Sequence, residues 1–319
     1  MRLTRHLRAV SPEAVNRIRR ALARTPANRR PLRLALAVAL ALALLLVFAG
    51  TAFAGAIVPE SGGSPNADDI STLYKLILAV AIVIFVGVEG ALFYSLFKFR
   101  ARKGAVAAQI RGNTRLEVGW TVGAALILVV LAVFTFAKLG DIRNPPNSGP
   151  AGLQLADGTL VASGPGKKLP PNGKSLNICV NGQQYIWRYT YANDCDNAPL
   201  GSPFSYTQMV VPVDTTVTLD INAQDVAHSW WIPKLGGKFD AVPGYTNHTW
   251  FKIPAKLAGQ TFRGQCAELC GRNHANMIAQ VTAVTPAQYE RWLAQRKADI
   301  KAADQAAAQE RKRVQQSTP

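Results

Sequence analysis

Residues 72–97, TLYKLILAVAIVIFVGVEGALFYSLF, and residues 118–137, VGWTVGAALILVVLAVFTFA, leave this chain few choices. A bilayer-spanning helix takes about 20 apolar residues, and both runs are that long. The second run has no charged side chain at all. A helix in a soluble protein is rarely apolar all round over such a length, because only one face meets a core. Inside a bilayer no water satisfies the backbone, so each run closes its own hydrogen bonds as a helix. The sequence therefore predicts a transmembrane hairpin within residues 55–140, with helices over about 72–97 and 118–138.

The loop between the runs sets the orientation. Residues 98–115 carry Lys98, Arg100, Arg102, Lys103, Arg111 and Arg115 and no acid. Basic loops stay on the cytoplasmic side. The hairpin is thus expected to be a multi-pass anchor in the cell membrane, with everything after about residue 140 on the exterior or periplasmic side. A third apolar run, Leu34–Pro59, follows a lead with arginines at 2, 5, 8, 17, 19, 20, 24, 29, 30 and 33 against Glu13 alone. The small-residue stretch Ala52-Phe53-Ala54 closes it, so residues 1–54 read as a basic lead with a cleaved signal peptide or an uncleaved signal anchor. The formal charge of +17 belongs to these flanks: residues 145–289 hold ten Lys/Arg and eight Asp/Glu. With no basic patch interleaved with aromatics, no nucleic-acid partner is expected.

Residues 141–175 are rich in Gly, Pro, Asn and Ser and read as a linker or a loop-rich lead-in to the next segment. Residues 176–285 then read as strands. LNICVNGQQYIWRYTY is rich in aromatic and β-branched residues, and SYTQMVVPVDTTVTLDINA alternates apolar with polar. HTWFKIP, GQTFRGQC and MIAQVTAV are shorter candidates. Close Pro and Gly punctuation predicts an antiparallel β-sandwich or barrel. Residues 286–319 form a C-terminal helical tail that becomes highly charged.

The segment CAELCGRNHANM, Cys266 to Met277, concentrates the metal-binding chemistry. Structural zinc sites usually use two knuckles, whereas the spacing here is C-x3-C-x3-H-x2-M with no second knuckle. Thiolate, imidazole and thioether together suit copper. A single blue-copper site needs one cysteine and two histidines, so the segment has one cysteine too many and one histidine too few. Three other histidines exist. His6 lies in the basic lead. His248, in GYTNHTWF, reads as a surface or strand residue. His228, in AQDVAHSWWIP, follows the strand TTVTLDINA, and a loop at that strand's end is where it could reach the site. Two cysteines and two histidines then serve two coppers with bridging thiolates. Met277 and a backbone carbonyl would be the weak outer ligands. No coordination position is left open for a substrate.

QDVAHSWWIPKLGGKFDAVPG followed by GQCAELCGRNHANM resembles subunit II of cytochrome c oxidase, which carries a dinuclear copper centre called CuA. The hairpin, the exterior β domain and the order of motifs match from about residue 70 to about 295. The resemblance implies a membrane-anchored all-β fold whose exterior domain is a cupredoxin-like β-sandwich. It implies His228, Cys266, Cys270, His274 and Met277 as ligands, with the Glu268 carbonyl oxygen as the sixth. The Glu268 carboxylate would help bind Mg²⁺ or Mn²⁺ shared with subunit I. Glu117 corresponds to the family's acid at the mouth of a proton pathway, which in the sequence alone is an ordinary helix-start acid. Glu89, deep in the first span, is expected against subunit I, because an ionisable group in a membrane faces protein or water.

The pattern also departs from the family. Tyr185 stands where the family has the tryptophan that receives electrons, and Trp187 lies two residues on. Tyr245 replaces the arginine of the family's PGR. Thr190 and Gln224 stand where acids that dock cytochrome c are common, while Asp225 and Asp240 remain. Cys179 and Cys195 lie outside the ligand set and could pair in an oxidising exterior compartment.

The expected function is acceptance of single electrons from a c-type cytochrome and their transfer to haem held in subunit I, where oxygen is reduced to water. The rivals are a CuA-bearing nitric oxide reductase subunit, a copper-free quinol oxidase subunit II and a copper-delivery protein.

Overall fold

The computed structural model describes residues 57–317, apart from residues 102, 105, 107, 157–164 and 200. The expected signal peptide or anchor over residues 1–54 lies outside the described residues. Helix α1 (Pro65–Lys98) and helix α2 (Thr114–Arg143) form the hairpin. Both outrun their apolar cores. The 34 residues of α1 reach about 50 Å, against roughly 30 Å of hydrocarbon. The extra turns are polar and lie mostly at the outer end, where Lys138 binds Asp69 at 3.0 Å and Asp141 at 3.2 Å. Proline is tolerated at the start of α1 because the first helical N–H has no partner anyway. At the inner end of α2 the Asn113 side chain accepts from the Leu116 N–H, and the Asn113 N–H donates to Glu117 Oε1.

Ten strands follow. One sheet has the order β3 (Phe204–Tyr206), β2 (Ile186–Thr190), β1 (Leu176–Gln183), β5 (Thr216–Ala223), β8 (Asn247–Lys252). The other has β4 (Gln208–Pro212), β10 (Ile278–Val284), β9 (Thr261–Cys266), β6 (His228–Trp231), β7 (Phe239–Ala241). The all-β sandwich is as the sequence predicts, but it is not wholly antiparallel. β1 pairs parallel with β5, and β4 with β10. Both parallel pairs join strands distant in sequence, so no local turn signal could announce them. Strands β6 and β7 are missing from the strands read in the sequence; each is short and flanked by Pro or Gly.

The core lies between the sheets, where Ile178, Val180, Leu219 and Ile221 meet Val211, Phe262, Val281 and Ala283. Helix α3 (Pro286–Ser317) starts at a reciprocal cap, with the Thr285 N–H donating to Gln288 Oε1 and the Gln288 N–H to Thr285 Oγ1. Its first turns pack on Tyr191, the Trp292 ring lying 4.9 Å from it. A disulfide joins Cys179 to Cys195.

The stretch read as a linker is not a free tether. The Thr216 N–H donates to Ser148 Oγ, the Leu153 N–H to Thr215 Oγ1, and the Gly149 N–H to the Asp214 carbonyl. It therefore covers the outer side of β5, and the outward residues Thr216, Thr218 and Asp220 are buried with the inward ones. Buried polar groups need partners. Asp220 finds Lys167 at 2.6 Å, His248 Nδ1 at 2.8 Å and Asn177 at 3.0 Å. Burial pulls the Asp220 carboxyl upward, but the hydrogen bonds from His248, Lys167 and Asn177 outweigh it and hold it below its ordinary value.

Asp220→Asn leaves the Lys167 side chain, only 5% exposed, without its counter-charge. It is expected to cost about 3–5 kcal/mol, measured as a lower midpoint of thermal unfolding. A depressed carboxyl stabilises the fold above its ordinary titration range and loses that contribution as pH falls through the lowered value. The wild-type domain should thus lose stability more steeply than the variant below about pH 4.

Candidate metal centre

One end of the second sheet collects the site. β9 and β10 are antiparallel neighbours joined by residues 267–277, and β6 lies on the other side of β9. Cys266 ends β9, His228 begins β6, and Met277 immediately precedes β10. The loop is held shut by its backbone: the Cys266 N–H donates to the Met277 carbonyl at 2.9 Å and the Ala267 N–H to Ser229 at 2.9 Å. A 3-10 turn over His274–Asn276, begun by the His274 N–H donating to Gly271, swings the imidazole back toward Cys270.

The side chains named from the sequence converge. The Cys266 and Cys270 sulfurs lie 3.9 Å apart as free thiols, both buried. His228 Nδ1 is 3.9 Å from the Cys266 sulfur, and His274 Nδ1 is 3.4 Å from that of Cys270. The Met277 sulfur is 3.8 Å from Cys270. The Glu268 carbonyl is 3.2 Å from Cys266, while the Glu268 carboxylate points to the exposed surface. His228 and Met277 have no exposed surface, and His274 is half-buried. Burial and the neighbouring Cys266 push the Cys270 thiol up to about 11. Buried thiols pack as small apolar groups, and a soft cation that displaced their protons would turn the pair into two thiolate ligands. The donor set of two thiols, two imidazoles and a thioether fits copper rather than magnesium or calcium, which seek oxygen.

His228 is not in a loop, as the sequence suggests, but opens β6 opposite Ala241 of β7. The strand turns its ring inward. His228 Nε2 lies 2.9 Å from Asp225 Oδ1, which leaves Nδ1 for the sulfur side. Asp225 also accepts from the Gln184 and Val226 N–H groups. Burial pulls its carboxyl upward, and these three donors outweigh that and hold it low. Asp225 is exposed, as an acid expected for a partner should be, and it also lends acceptors to the site. The signal in the sequence was its D-x-x-H spacing before a strand.

Two further neighbours were invisible in the sequence. Gln184 Nε2 donates to the Cys270 carbonyl at 2.7 Å. Gly182 sits against the His228 ring, where a methyl group would lie 3.0 Å from the imidazole carbon Cδ2. Trp187 is fully buried and meets His228 edge-on, the ring centres 5.9 Å apart. Tyr185 is half-buried, and its hydroxyl lies over Gly271, where a Cβ would approach it to 2.6 Å. Asp240, Gln224 and Tyr245 are exposed. Glu117 lies at the inner end of α2, far from this cluster along the chain's long axis. Glu89 is half-exposed in mid-span.

Gly182→Ala is expected to cost about 1–3 kcal/mol through overpacking against His228 and Trp187. Thermal unfolding with near-ultraviolet circular dichroism, which reports the tryptophan environment, checks it.

Two family models match the chain: "Cytochrome C oxidase subunit II, transmembrane domain" over residues 54–138 and "Cytochrome C oxidase subunit II, periplasmic domain" over residues 204–284. Cytochrome c oxidase subunit 2 of Alkalihalophilus pseudofirmus is 32% identical over 238 residues, covering 74% of this chain and 61% of that protein. The chain thus spans about three fifths of that relative's length. The same-named protein of Thermostichus vulcanus is 31% identical over 271 residues, covering 76% of this chain and 79% of its own. Among solved structures, the periplasmic domain of cytochrome oxidase subunit II from Bradyrhizobium japonicum is 31% identical, with a TM-score of 0.35, over 39% of this chain and 95% of that one.

Proposed function

The chain belongs to the cytochrome c oxidase subunit II family, part of an oxidoreductase complex, and from that premise we propose that it takes single electrons from a c-type cytochrome and hands them to haem in subunit I of a terminal oxidase in the cell membrane. The observation that carries the proposal is the convergence of two free buried thiols with one imidazole beside each.

His228, Cys266, Cys270, His274, Met277 and the Glu268 carbonyl would hold two copper ions as CuA, and Glu268 would offer its exposed carboxylate to Mg²⁺ or Mn²⁺ at the subunit I boundary. When bound, such a pair of coppers supplies a one-electron couple spread over both ions. The protein's own part is positional. Asp225 fixes which nitrogen of His228 faces the sulfurs. Gln184 restrains the Cys270 carbonyl. The apolar surroundings keep water from the thiols. Tyr185 is the residue proposed to meet the donor: it reaches the surface and touches the ligand loop at Gly271, whereas Trp187 is sealed inside. Glu117 is proposed to admit protons from the cytoplasmic side. Full retention of the sulfur and imidazole donors argues against a copper-free quinol oxidase subunit. Oxygen rather than nitric oxide uptake by the purified complex would separate the remaining rival.

The full chain loaded with copper is expected to hold two ions, by metal analysis. One ion, or zinc held in preference, would overturn the assignment. Met277→Leu should keep both ions and move the reduction potential, because an axial thioether tunes more than it holds. Cys270→Ser should abolish the shared centre, as read by electron paramagnetic resonance. Asp225→Asn should weaken copper affinity about 10–100-fold.

Glu117→Gln should slow oxygen uptake of the complex and leave the rate of copper reduction unchanged. The 26 residues from Glu117 to Arg143 put about 40 Å of helix between them, well beyond the reach of a screened charge. Stopped-flow reduction and steady-state oxygen uptake on one preparation separate the two effects.

A further inference from the structure

Where α2 ends, Ile142 and Arg143 form one side of a cavity of about 190 Å³. Phe239 and Trp250 supply apolar walls, and Lys168 and His248 complete it. Among the described residues no carboxylate lines it. Asp220, which His248 engages through one oxygen, is held by Lys167 and Asn177 through the other. Among the described residues neither Arg143 nor Lys168 has an acidic partner, and both are exposed. Two cations therefore border one open cavity with no counter-charge among the described residues.

The height of the cavity is set by the helix. The apolar run ends at Ala137, and Arg143 is six residues further out, about 9 Å along the axis. Headgroup layers add about 5–8 Å on each side of the hydrocarbon, so the Arg143 backbone stands at the outer edge of that layer, from where its long side chain reaches the phosphates. The Trp250 indole N–H donates to the Ile142 carbonyl at 3.0 Å, which ties the wall of the exterior domain to the helix end. A tryptophan suits this boundary.

We propose that this cavity binds the phosphate of an anionic phospholipid from the outer leaflet. Arg143 and Lys168 contact the phosphate oxygens, the neighbouring His248 ring offers Nε2, and Ile142, Phe239 and Trp250 cover the glycerol and the first acyl carbons. A free anion would use the cations but has no need of the apolar walls. The site is independent of the copper assignment.

The test uses the full-length chain in nanodiscs containing equal phosphatidylglycerol and phosphatidylcholine, followed by native mass spectrometry of the released protein. The wild type is expected to retain phosphatidylglycerol over phosphatidylcholine by about tenfold, because both lipids carry the same phosphate but the choline ammonium brings a further cation to Arg143 and Lys168, and about 1.4 kcal/mol of such repulsion is a factor of ten. The R143Q/K168Q double variant should lose most of that preference, and the charge-keeping R143K variant should keep most of it. The side chains are exposed, and K168Q alone, with a partial loss, repeats the readout without touching the helix. Equal retention by wild type and double variant overturns the proposal. So does displacement of the lipid by inorganic phosphate at matched concentration, which would mark a free-anion site. Loss of the preference once subunit I is bound also overturns it, because the cavity would then belong to a protein interface.

Discussion

Two thiol sulfurs held 3.9 Å apart and out of water are the constraint around which the exterior domain is arranged. Nothing local keeps them there. Cys266 is placed by the pairing of β9 with β6 and β10, and Cys270 by a loop that closes through the Cys266 N–H to Met277 bond. The imidazoles arrive from opposite directions, one on a neighbouring strand and one on a 3-10 turn. A shift in the β6–β9 register by one residue would turn His228 to the other face of the sheet, since side chains alternate. The site is thus as rigid as the sheet that carries it, which suits electron transfer because little needs to move.

The second requirement is a defined height above the membrane. The domain is joined to the hairpin by bonds from both helix ends, not by the linker alone. Asn66 Nδ2 donates to the Trp250 carbonyl, the Lys252 N–H to Ser64 Oγ, and Trp250 to Ile142. Gly63 lies so close to the Lys234 carbonyl that a Cβ there would come within 2.5 Å. These contacts all use β8 or the segment after β6, the strand that begins with His228. The same elements therefore position the metal cluster and seat the domain on its anchor.

Much of this was legible in the residues. The two spans carry long, almost uncharged apolar runs, and the C-x3-C-x3-H-x2-M segment names its own donors. His228 could be singled out because only three histidines lay outside that segment. What stayed hidden shares one property: the partners are far apart in the chain. Lys167 reads as one more loop lysine until Asp220 is seen beneath it. Asp225 reads as a surface acid and is one, but its bond to His228 shows only once β6 brings that ring to it. Gly182 lies in a stretch read as strand and proves to be one, but its packing on an imidazole shows only in the fold.

The sequence by itself determined the hairpin, its orientation, the β class of the exterior part and the softness of the metal donors. Each follows from composition or spacing within a short window, where burial in lipid or ligand chemistry leaves a single outcome. Only the tertiary structure decided the parallel pairs β1–β5 and β4–β10, the covering of β5 by residues 148–153, the bond between Asp225 and His228 and the half-buried place of Tyr185 beside the fully buried Trp187. These depend on which distant strands pair and which face a loop happens to cover. Strand pairing closes hydrogen bonds between segments whose own sequences carry no mark of their partner, so the information exists only once the chain has folded.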